Sequence, residues 1–148
     1  MDIFMVTAEL LSNEELFARL EKSHSIQSFV ETYKDSFCTL STTDLLEQLL
    51  QQHDLTKQYV IRKANIERKF GYQIFNGIRN PRRNTLVRIA LTMKLTLEET
   101  QHLLSVSQRG ELNIKKRRDA VLIFCILKNV SLEDTEIILD ELSEALLK

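Results

Sequence analysis

The chain has 148 residues, with 20 Lys and Arg against 21 Asp and Glu, and only three Gly and one Pro. That length suits one domain or a domain with an extension, and it allows a substantial buried core. Leu, Glu, Lys and Gln are plentiful, which favours helix, and no segment shows the flanked two-residue alternation that predicts a strand. We therefore expect an all-α protein.

Several other classes of protein are disfavoured by what the sequence lacks. The longest apolar run, residues 120–127, is too short to span a bilayer, and the acidic N-terminus is unlike a signal peptide. Cys38 and Cys125 lack metal-ligand spacing, so we expect reduced, buried thiols in a cytoplasmic protein. Three scattered histidines are expected to bind no metal: His24, His53 and His102. Without a phosphate loop or a nucleophile motif, we expect no enzyme activity and no cofactor.

The N-terminal region is predicted to hold two short helices. Ser12 or Asn13 caps the first and Ser25 caps the second, and each helix carries an apolar stripe. Residues 1–56 contain ten acidic and three basic side chains. We therefore predict an acidic helical extension over residues 1–42.

Two further helices are predicted next. The Ser/Thr cluster at residues 41–43 caps a helix from Asp44 to about Gln52, whose leucines face inward. Thr56 caps the following helix, which runs to about Ala64.

A tight turn at Ala64-Asn65-Ile66 is predicted to lead into a helix that Ile66 and Glu67 open. That helix ends at Asn76-Gly77, where Gly77 suits a left-handed terminating position. Asn80-Pro81 makes a turn, since proline disfavours helix at the preceding residue. Asn84 or Thr85 then starts a helix through Met93.

Two later segments are similar at an offset of 35 residues: LVRIALTMKLTLEETQHLL at 86–104 and VLIFCILKNVSLEDTEIIL at 121–139. Each predicts an apolar helix, a short turn and a capped second helix. Thr96 to Glu99 matches the capping-box pattern, and Ser131 to Asp134 matches a weaker form of it. We expect two stacked helical hairpins, the first of which completes the central domain.

Positive charge is concentrated between Lys57 and Arg88. Nine basic residues and one acidic residue, Glu67, give this band a charge of +8 in a chain of formal net charge −1. A solvated helix face is the commoner explanation for any single Lys or Arg. A compact helical motif with this much charge, however, is typical of a surface that contacts nucleic acid.

Several features recur at fixed spacing within residues 44–104: Val60, Asn65, Ile66, Ile74, Asn76-Gly77, Arg79-Asn80-Pro81 and the helix LVRIAL. With them, the segment resembles the phage-repressor-like (XRE-type) helix-turn-helix family. The resemblance implies a lambda-repressor-like DNA-binding domain at 43–105, followed by a C-terminal helical hairpin at 106–148. It also implies a bacterial or phage transcriptional regulator that binds specific double-stranded DNA as a homodimer, with the dimer contact in either the acidic extension or the apolar C-terminal hairpin.

The resemblance also implies roles for individual side chains. It places base-reading positions on Arg68, Lys69, Tyr72 and Gln73, and phosphate-contacting positions on Lys57, Asn76 and Arg79. Arg can read guanine and Gln can read adenine through paired hydrogen bonds in the major groove. For Tyr72, simple surface packing is an equal alternative. Two further candidate phosphate contacts are Arg82 and Arg83.

Two departures from the family pattern form a candidate compensating pair. The first helix of the motif normally carries Ala where this chain has Ile61, and the second normally carries Val or Ile where it has Gly71. Those positions pack together in the family, so a large Ile61 against a small Gly71 conserves volume. We predict that Ile61 covers Gly71.

Two alternatives remain open. The basic run Lys115 to Arg118 is either a second DNA contact or, as we favour, the solvated first turn of its helix, with Asp119 as local compensation. The whole protein, in turn, is either the regulator described above or a protein-interaction module that keeps the fold with DNA binding masked or lost. In the latter case the acidic extension or the C-terminal hairpin would meet a protein partner.

Overall fold

The computed structural model describes residues 11–37 and 40–148. Within them, the regular structure consists of nine α-helices and a short 3₁₀ turn, with no strand, which confirms the all-α expectation. None of the helices in this part of the chain has the length and apolar character needed to cross a bilayer. The prediction for Cys38 falls outside the described residues. Cys125 is buried as predicted, and burial raises the pKa of its thiol.

The chain divides into two compact units, residues 1–39 and 40–148. In the first unit, α1 (Asn13–Glu21) is capped by Ser12 and α2 (Ile26–Thr32) is capped by Ser25. Both caps were predicted. Among the described residues of this unit, Phe29 is the one buried side chain, and most of the predicted apolar stripe is exposed.

The second unit contains seven helices. They are α3 (Thr42–Gln52), α4 (Lys57–Lys63), α5 (Arg68–Phe75), α6 (Arg83–Met93), α7 (Leu97–Val106), α8 (Arg117–Leu127) and α9 (Leu132–Glu141). Ser41 and Thr56 cap α3 and α4 as predicted, and Thr96 and Glu99 complete the predicted capping box of α7. The helix α6 starts slightly earlier than predicted, with Arg82 rather than Asn84 before its first turn.

Four of the links between these helices share one local arrangement. A residue with φ between +53° and +57° is followed by a buried or half-buried aliphatic residue and then by the capping residue. The left-handed residue reverses the chain, and the aliphatic side chain anchors the link in the core. The four links are Asp54-Leu55-Thr56, Asn65-Ile66-Glu67, Lys94-Leu95-Thr96 and Asn129-Val130-Ser131.

One continuous core runs through the second unit, from Leu45 in α3 to Leu147. The helix α3 packs on α5 and α7, and α4 packs on α5 and α6. The helices α6 and α7 pack in turn on α8, and α6 also packs on α9. The C-terminal hairpin therefore belongs to the same compact unit as residues 43–105, which positions α4 and α5 on a rigid base.

The predicted 35-residue repeat is confirmed by matching side-chain contacts. Arg83 donates from Nε and Nη2 to two consecutive backbone carbonyls, at 3.1 and 2.9 Å. Arg118, 35 residues later, donates from the same atoms to two carbonyls at 2.9 and 3.2 Å. The carbonyls also correspond at this offset: Gly110 and Glu111 in the first hairpin, Ala145 and Leu146 in the second.

The two hairpins also contact each other reciprocally. Arg83 binds the carboxylate of Asp119 at 3.0 and 2.8 Å, and Arg118 binds Asn84 Oδ1 at 3.1 Å. Asn84 and Asp119 are 35 residues apart, as the two arginines are. Such an exchange of equivalent contacts is what a two-fold axis produces. The hairpins α6–α7 and α8–α9 are therefore related by an approximate internal two-fold.

Candidate nucleic-acid interface

The turn between α4 and α5 is fixed by its own backbone and by α6. Asn65, in the predicted turn, has φ +57°, a left-handed conformation that Asn tolerates better than most non-glycine residues. Ile66 is buried and donates its N–H to the Ile61 carbonyl at 3.1 Å. Arg88 of α6 donates from its guanidinium to the carbonyls of Ala64 and Asn65. The basic band thus includes one arginine, Arg88, that holds the turn.

Ile61 covers Gly71, which confirms the predicted compensating pair. A Cβ built on Gly71 would lie 2.6 Å from Cγ2 and 2.8 Å from Cγ1 of Ile61. Distances this short do not occur for real Cβ atoms, so the position has no room for a side chain while Ile61 keeps its place. The glycine lets α4 and α5 approach closely despite the large residue on α4.

The outer side of α5 gathers the predicted base-reading residues. Gly71, Ile74 and Phe75 face the core. The opposite side is exposed or half-buried and lines one open depression, formed with Glu67 by Arg68, Lys69, Tyr72, Gln73 and Asn76. The helix α5 therefore has a buried apolar side and an exposed side rich in hydrogen-bonding groups.

Glu67 puts its negative charge into its own helix. Its carboxylate accepts the N–H groups of Phe70 at 2.8 Å and Lys69 at 3.1 Å. These two hydrogen bonds hold the pKa of Glu67 below its usual value. Since the carboxylate is engaged by the positive end of α5, it caps the helix. Arg68 lies over the ring of Tyr72, with 6.0 Å between Cζ and the ring centroid.

The remaining predicted phosphate contacts surround α5. Lys57 is the first residue of α4, and Asn76 is the residue that ends α5. Gly77 follows with φ +79°, as predicted for the terminating position. Arg79 and Arg82 are exposed and form no ion pair with any described residue.

The loop that carries these two arginines is tied down from α7's end. Arg109 donates to the Pro81 carbonyl at 2.9 Å and to the Asn80 carbonyl at 3.2 Å. Pro81 is buried, whereas Arg79 and Arg82 on either side of the anchored pair are exposed. Arg79 and Arg82 therefore project from a loop whose backbone is held by the hydrogen bonds from Arg109.

Arg83 differs from the phosphate-binding expectation. Its guanidinium binds Asp119 and two carbonyls, and its side chain is only 27% exposed. The carboxylate of Asp119 is buried and also accepts the Asn113 N–H at 2.9 Å. All three of its side-chain nitrogens are therefore engaged, by two carbonyls of its own hairpin and by Asp119 of the other, and we remove Arg83 from the predicted phosphate contacts.

Two residues of the second basic run have a structural role, but they are bound within the chain rather than solvated as expected from the sequence. Arg117 binds the Leu142 carbonyl and Glu144, and Arg118 binds the segment after α9. Asp119 compensates the charge from within the first turn of α8, as predicted. The hydrogen bonds from Arg83, followed by the bond from Asn113 N, hold the pKa of Asp119 below its usual value despite burial.

Two residues of α4 that the sequence did not single out belong to the same surface. A second depression lies between α4 and α5, and it places Gln58 and Arg62 beside Arg68 and Tyr72. Arg62 was visible only as one charge of the basic band, and Gln58 gave no signal. The close packing of α4 on α5 brings both side chains to this surface, and the periodicity of α4 alone did not assign them to it.

Comparisons with known proteins gave no match, whether among protein-family models, curated proteins or solved structures. Over residues 11–37 and 40–148, the side chains of His, Cys, Asp and Glu form no group of three or more that could hold a metal ion.

Proposed function

We propose that this protein is a sequence-specific double-stranded-DNA-binding regulator of bacterial or phage transcription. The observation that carries the proposal is the exposed side of α5, where Arg68, Lys69, Tyr72 and Gln73 share one surface. A helix of this size fits the major groove, where base edges offer distinct donor and acceptor patterns. In this proposal α3–α7 form a lambda-repressor-like domain, and α5 is its recognition helix.

The surrounding cations support the same orientation. Lys57 begins α4, which packs on α5, and the exposed Arg79 and Arg82 follow α5 along the chain. In this proposal their side chains contact phosphates beside the groove. Gln58 and Arg62 extend the surface along α4. Glu67, the one acidic residue of the band, is engaged by the α5 N-terminus. The repulsion it exerts on DNA is correspondingly reduced.

The proposal is tested by selecting bound fragments from random double-stranded DNA and then comparing two variants. Arg68→Ala is expected to relax preference at one base pair, at a cost of about 1–3 kcal/mol on the selected site. Lys57→Ala is expected to weaken selected and random DNA alike. Lys115→Ala, an exposed cation outside the band, serves as the matched control and should leave both affinities unchanged. Equal losses on selected and random DNA for Arg68→Ala would contradict its role as a base reader.

Salt dependence distinguishes the phosphate contacts from Arg83. Each lost phosphate contact should reduce the slope of log affinity against log salt by about 1. We expect this for Arg79→Ala and Arg82→Ala, with no change in thermal stability. Arg83→Ala should instead lower stability. An unchanged slope for both exposed arginines would remove them from the proposed interface.

The second candidate function is a protein-interaction module with DNA binding masked or lost. It is favoured by the ten acidic residues before Lys57 and by exposed apolar side chains such as Phe17 and Ile26 in the first unit. A mobility-shift experiment on random DNA at low salt, with and without residues 1–39, separates the possibilities. A shift only after truncation supports masking of a DNA-binding surface. No shift in either form supports the protein-partner function.

A further inference from the structure

The two related hairpins differ on one face. In the first hairpin, α4 packs on α6 and α3 packs on α7, and Ser107 at the end of α7 bonds Thr42 of α3 at 2.9 Å. Four residues of this hairpin are buried: Leu86, Ile89, Leu103 and Ser107. Their counterparts 35 residues later are Val121, Phe124, Ile138 and Leu142. We call these four residues of α8 and α9 the open face.

The open face is apolar but largely uncovered. Ile89 is 0% exposed, whereas its counterpart Phe124 is 53% exposed. Ser107 is 3% exposed, whereas its counterpart Leu142 is 40% exposed. Val121 and Ile138 are half-buried. Val121 and Phe124 are one helical turn apart on α8, Ile138 and Leu142 are one turn apart on α9, and the two helices pack on each other. Clustered exposed apolar residues are characteristic of interaction sites, and the equivalent residues of the first hairpin are buried.

Charges at the edges of the open face indicate which partner it fits. Along α8 the exposed edge ends in Lys128, which pairs with no described carboxylate, whereas Arg117 at the first turn already pairs with Glu144 at 2.7 Å. Along α9 the edge is acidic, with Asp134 in the first turn and Glu141 at the end. The face therefore carries an available cation at the end of α8 beside available carboxylates on α9, so it is complementary to itself when α8 of one copy lies on α9 of another.

Within one chain, the two hairpins already contact each other with the first helix of each on the second helix of the other, since α6 packs on α9 and α8 packs on α7. At Lys128 and Glu141, the first hairpin instead carries Met93 and Val106, which are buried and half-buried. The charged replacements disfavour an uncharged helical cover like that of the first hairpin. They favour a partner with opposite charges at matching positions, which a second copy presents.

We propose that the open face of α8–α9 joins two copies of this chain in a two-fold symmetric dimer, with Lys128 of each copy beside Asp134 of its partner. A residue pair that appears twice across the axis is a property of such isologous contacts. The inference rests on the proposed function only for the biological role of the dimer, which would be to bind a near-palindromic DNA site. Its test measures mass without DNA, so the two proposals can fail separately.

The test is sedimentation equilibrium of the full chain. The wild-type protein is expected to be a dimer, and Phe124→Glu is expected to raise the dissociation constant by about tenfold or more because it puts a charge at the centre of the contact. Ile114→Glu is the matched control, since Ile114 is exposed and lies outside the open face. It should leave the dimer intact. A monomeric wild-type chain, or a dimer that Phe124→Glu leaves unchanged, would overturn the proposal.

A mixing experiment tests the pairing itself. Lys128→Glu and Asp134→Lys should each weaken self-association, because each places like charges together twice across the axis. An equimolar mixture of the two folded variants should form a mixed dimer, because both contacts then join opposite charges. Circular dichroism of each variant checks that its helices are intact. Absence of the mixed dimer would contradict the proposed contact even if Phe124→Glu dissociated the protein.

Discussion

Ile61 and Gly71 act as one packing unit between α4 and α5. The position of Gly71 is filled by the Cγ atoms of Ile61, at 2.6 and 2.8 Å from where a Cβ would stand. Ile61 itself is buried. Since protein cores tolerate volume exchange better than volume gain, the two residues constrain each other.

Gly71→Val is therefore expected to lower the free energy of unfolding by about 1–3 kcal/mol through overpacking. Ile61→Ala alone should also destabilise the protein, by about 2–5 kcal/mol, because it opens a cavity. The double variant should lose less than the sum of the two, since residues in contact are coupled. Chemical denaturation measures all three. An unchanged melting temperature for Gly71→Val would contradict the close contact.

Asp119 is a buried carboxylate at the contact between the two hairpins, where it accepts hydrogen bonds from Arg83 and from the Asn113 N–H. Hydrogen bonds from Arg83 lower its pKa below the usual value near 3.8. A carboxyl group whose pKa is lower in the folded state stabilises the protein above the unfolded pKa. That stabilisation disappears as the pH falls through the folded value.

We expect Asp119→Asn to reduce the free energy of unfolding by about 3 kcal/mol at pH 7, because it leaves Arg83 without its charged partner. The difference from the wild-type protein should shrink as the pH falls below about 4. Urea denaturation between pH 7 and pH 2 measures it. Asp140→Asn, at an exposed carboxylate, should change stability by less than about 0.5 kcal/mol. A difference that stayed constant down to pH 2 would disprove the role of the charge.

At the scale of elements, capping residues define where several helices begin, and longer-range hydrogen bonds help to orient neighbouring helices. Ser41, Thr56, Thr96 and Ser131 each accept a backbone N–H at the start of a helix. The orientation of α4 relative to α5 depends on a longer-range contact. Arg88 reaches from α6 to the carbonyls at the end of α4 and in the turn.

Arg88→Met should keep the aliphatic packing of the side chain but remove its hydrogen bonds to the turn. We expect a loss of about 1.5–3 kcal/mol, as for hydrogen bonds to charged groups. Faster amide exchange at Asn65 and Ile66 should accompany it. Arg62→Met, at an exposed position on α4, is the matched control and should alter neither stability nor exchange. Equal exchange rates in the two variants would contradict the bracing role of Arg88.

For the whole molecule, the two-fold relation between α6–α7 and α8–α9 makes the C-terminal hairpin part of the fold that supports α4 and α5. Arg83 of the first hairpin binds the carboxylate of Asp119 in the second, and Arg118 of the second hairpin binds the amide of Asn84 in the first. The buried surface of α6 is shared with α8 and α9. The hairpin therefore stabilises the unit that presents α5.

Two truncations test this dependence. Residues 40–148 alone should keep a cooperative thermal transition, because the core from Leu45 to Leu147 lies within that unit. Residues 40–112 should lose it, since Arg83 would lack Asp119 and the apolar side of α6 would be exposed. Circular dichroism melting curves measure both. A cooperative, equally stable 40–112 fragment would instead make residues 113–148 a separable element.

The sequence by itself determined most of the helices and their Ser and Thr caps, the turn at Asn65 and the 35-residue repeat. These features depend on neighbours in sequence and on helical periodicity. The Ile61–Gly71 pair was predicted from the family resemblance, which pairs the two positions, together with the volumes of the two residues. The four-residue spacing of Phe70 and Ile74 also predicts an apolar side of α5, and the structure buries Ile74 and half-buries Phe70. The opposite side is polar. Whether that side reads DNA stays a prediction.

Only the tertiary structure decided the roles of individual cations. Arg82 and Arg83 are adjacent and chemically identical, yet Arg82 is exposed and Arg83 is bound by Asp119 from 36 residues away. Arg88 likewise belongs to the basic band but holds the turn. The open face, too, is visible only because each residue of one hairpin can be compared with its counterpart in the other. A charge in a sequence has no fixed partner, and its role depends on which groups folding places within hydrogen-bond distance.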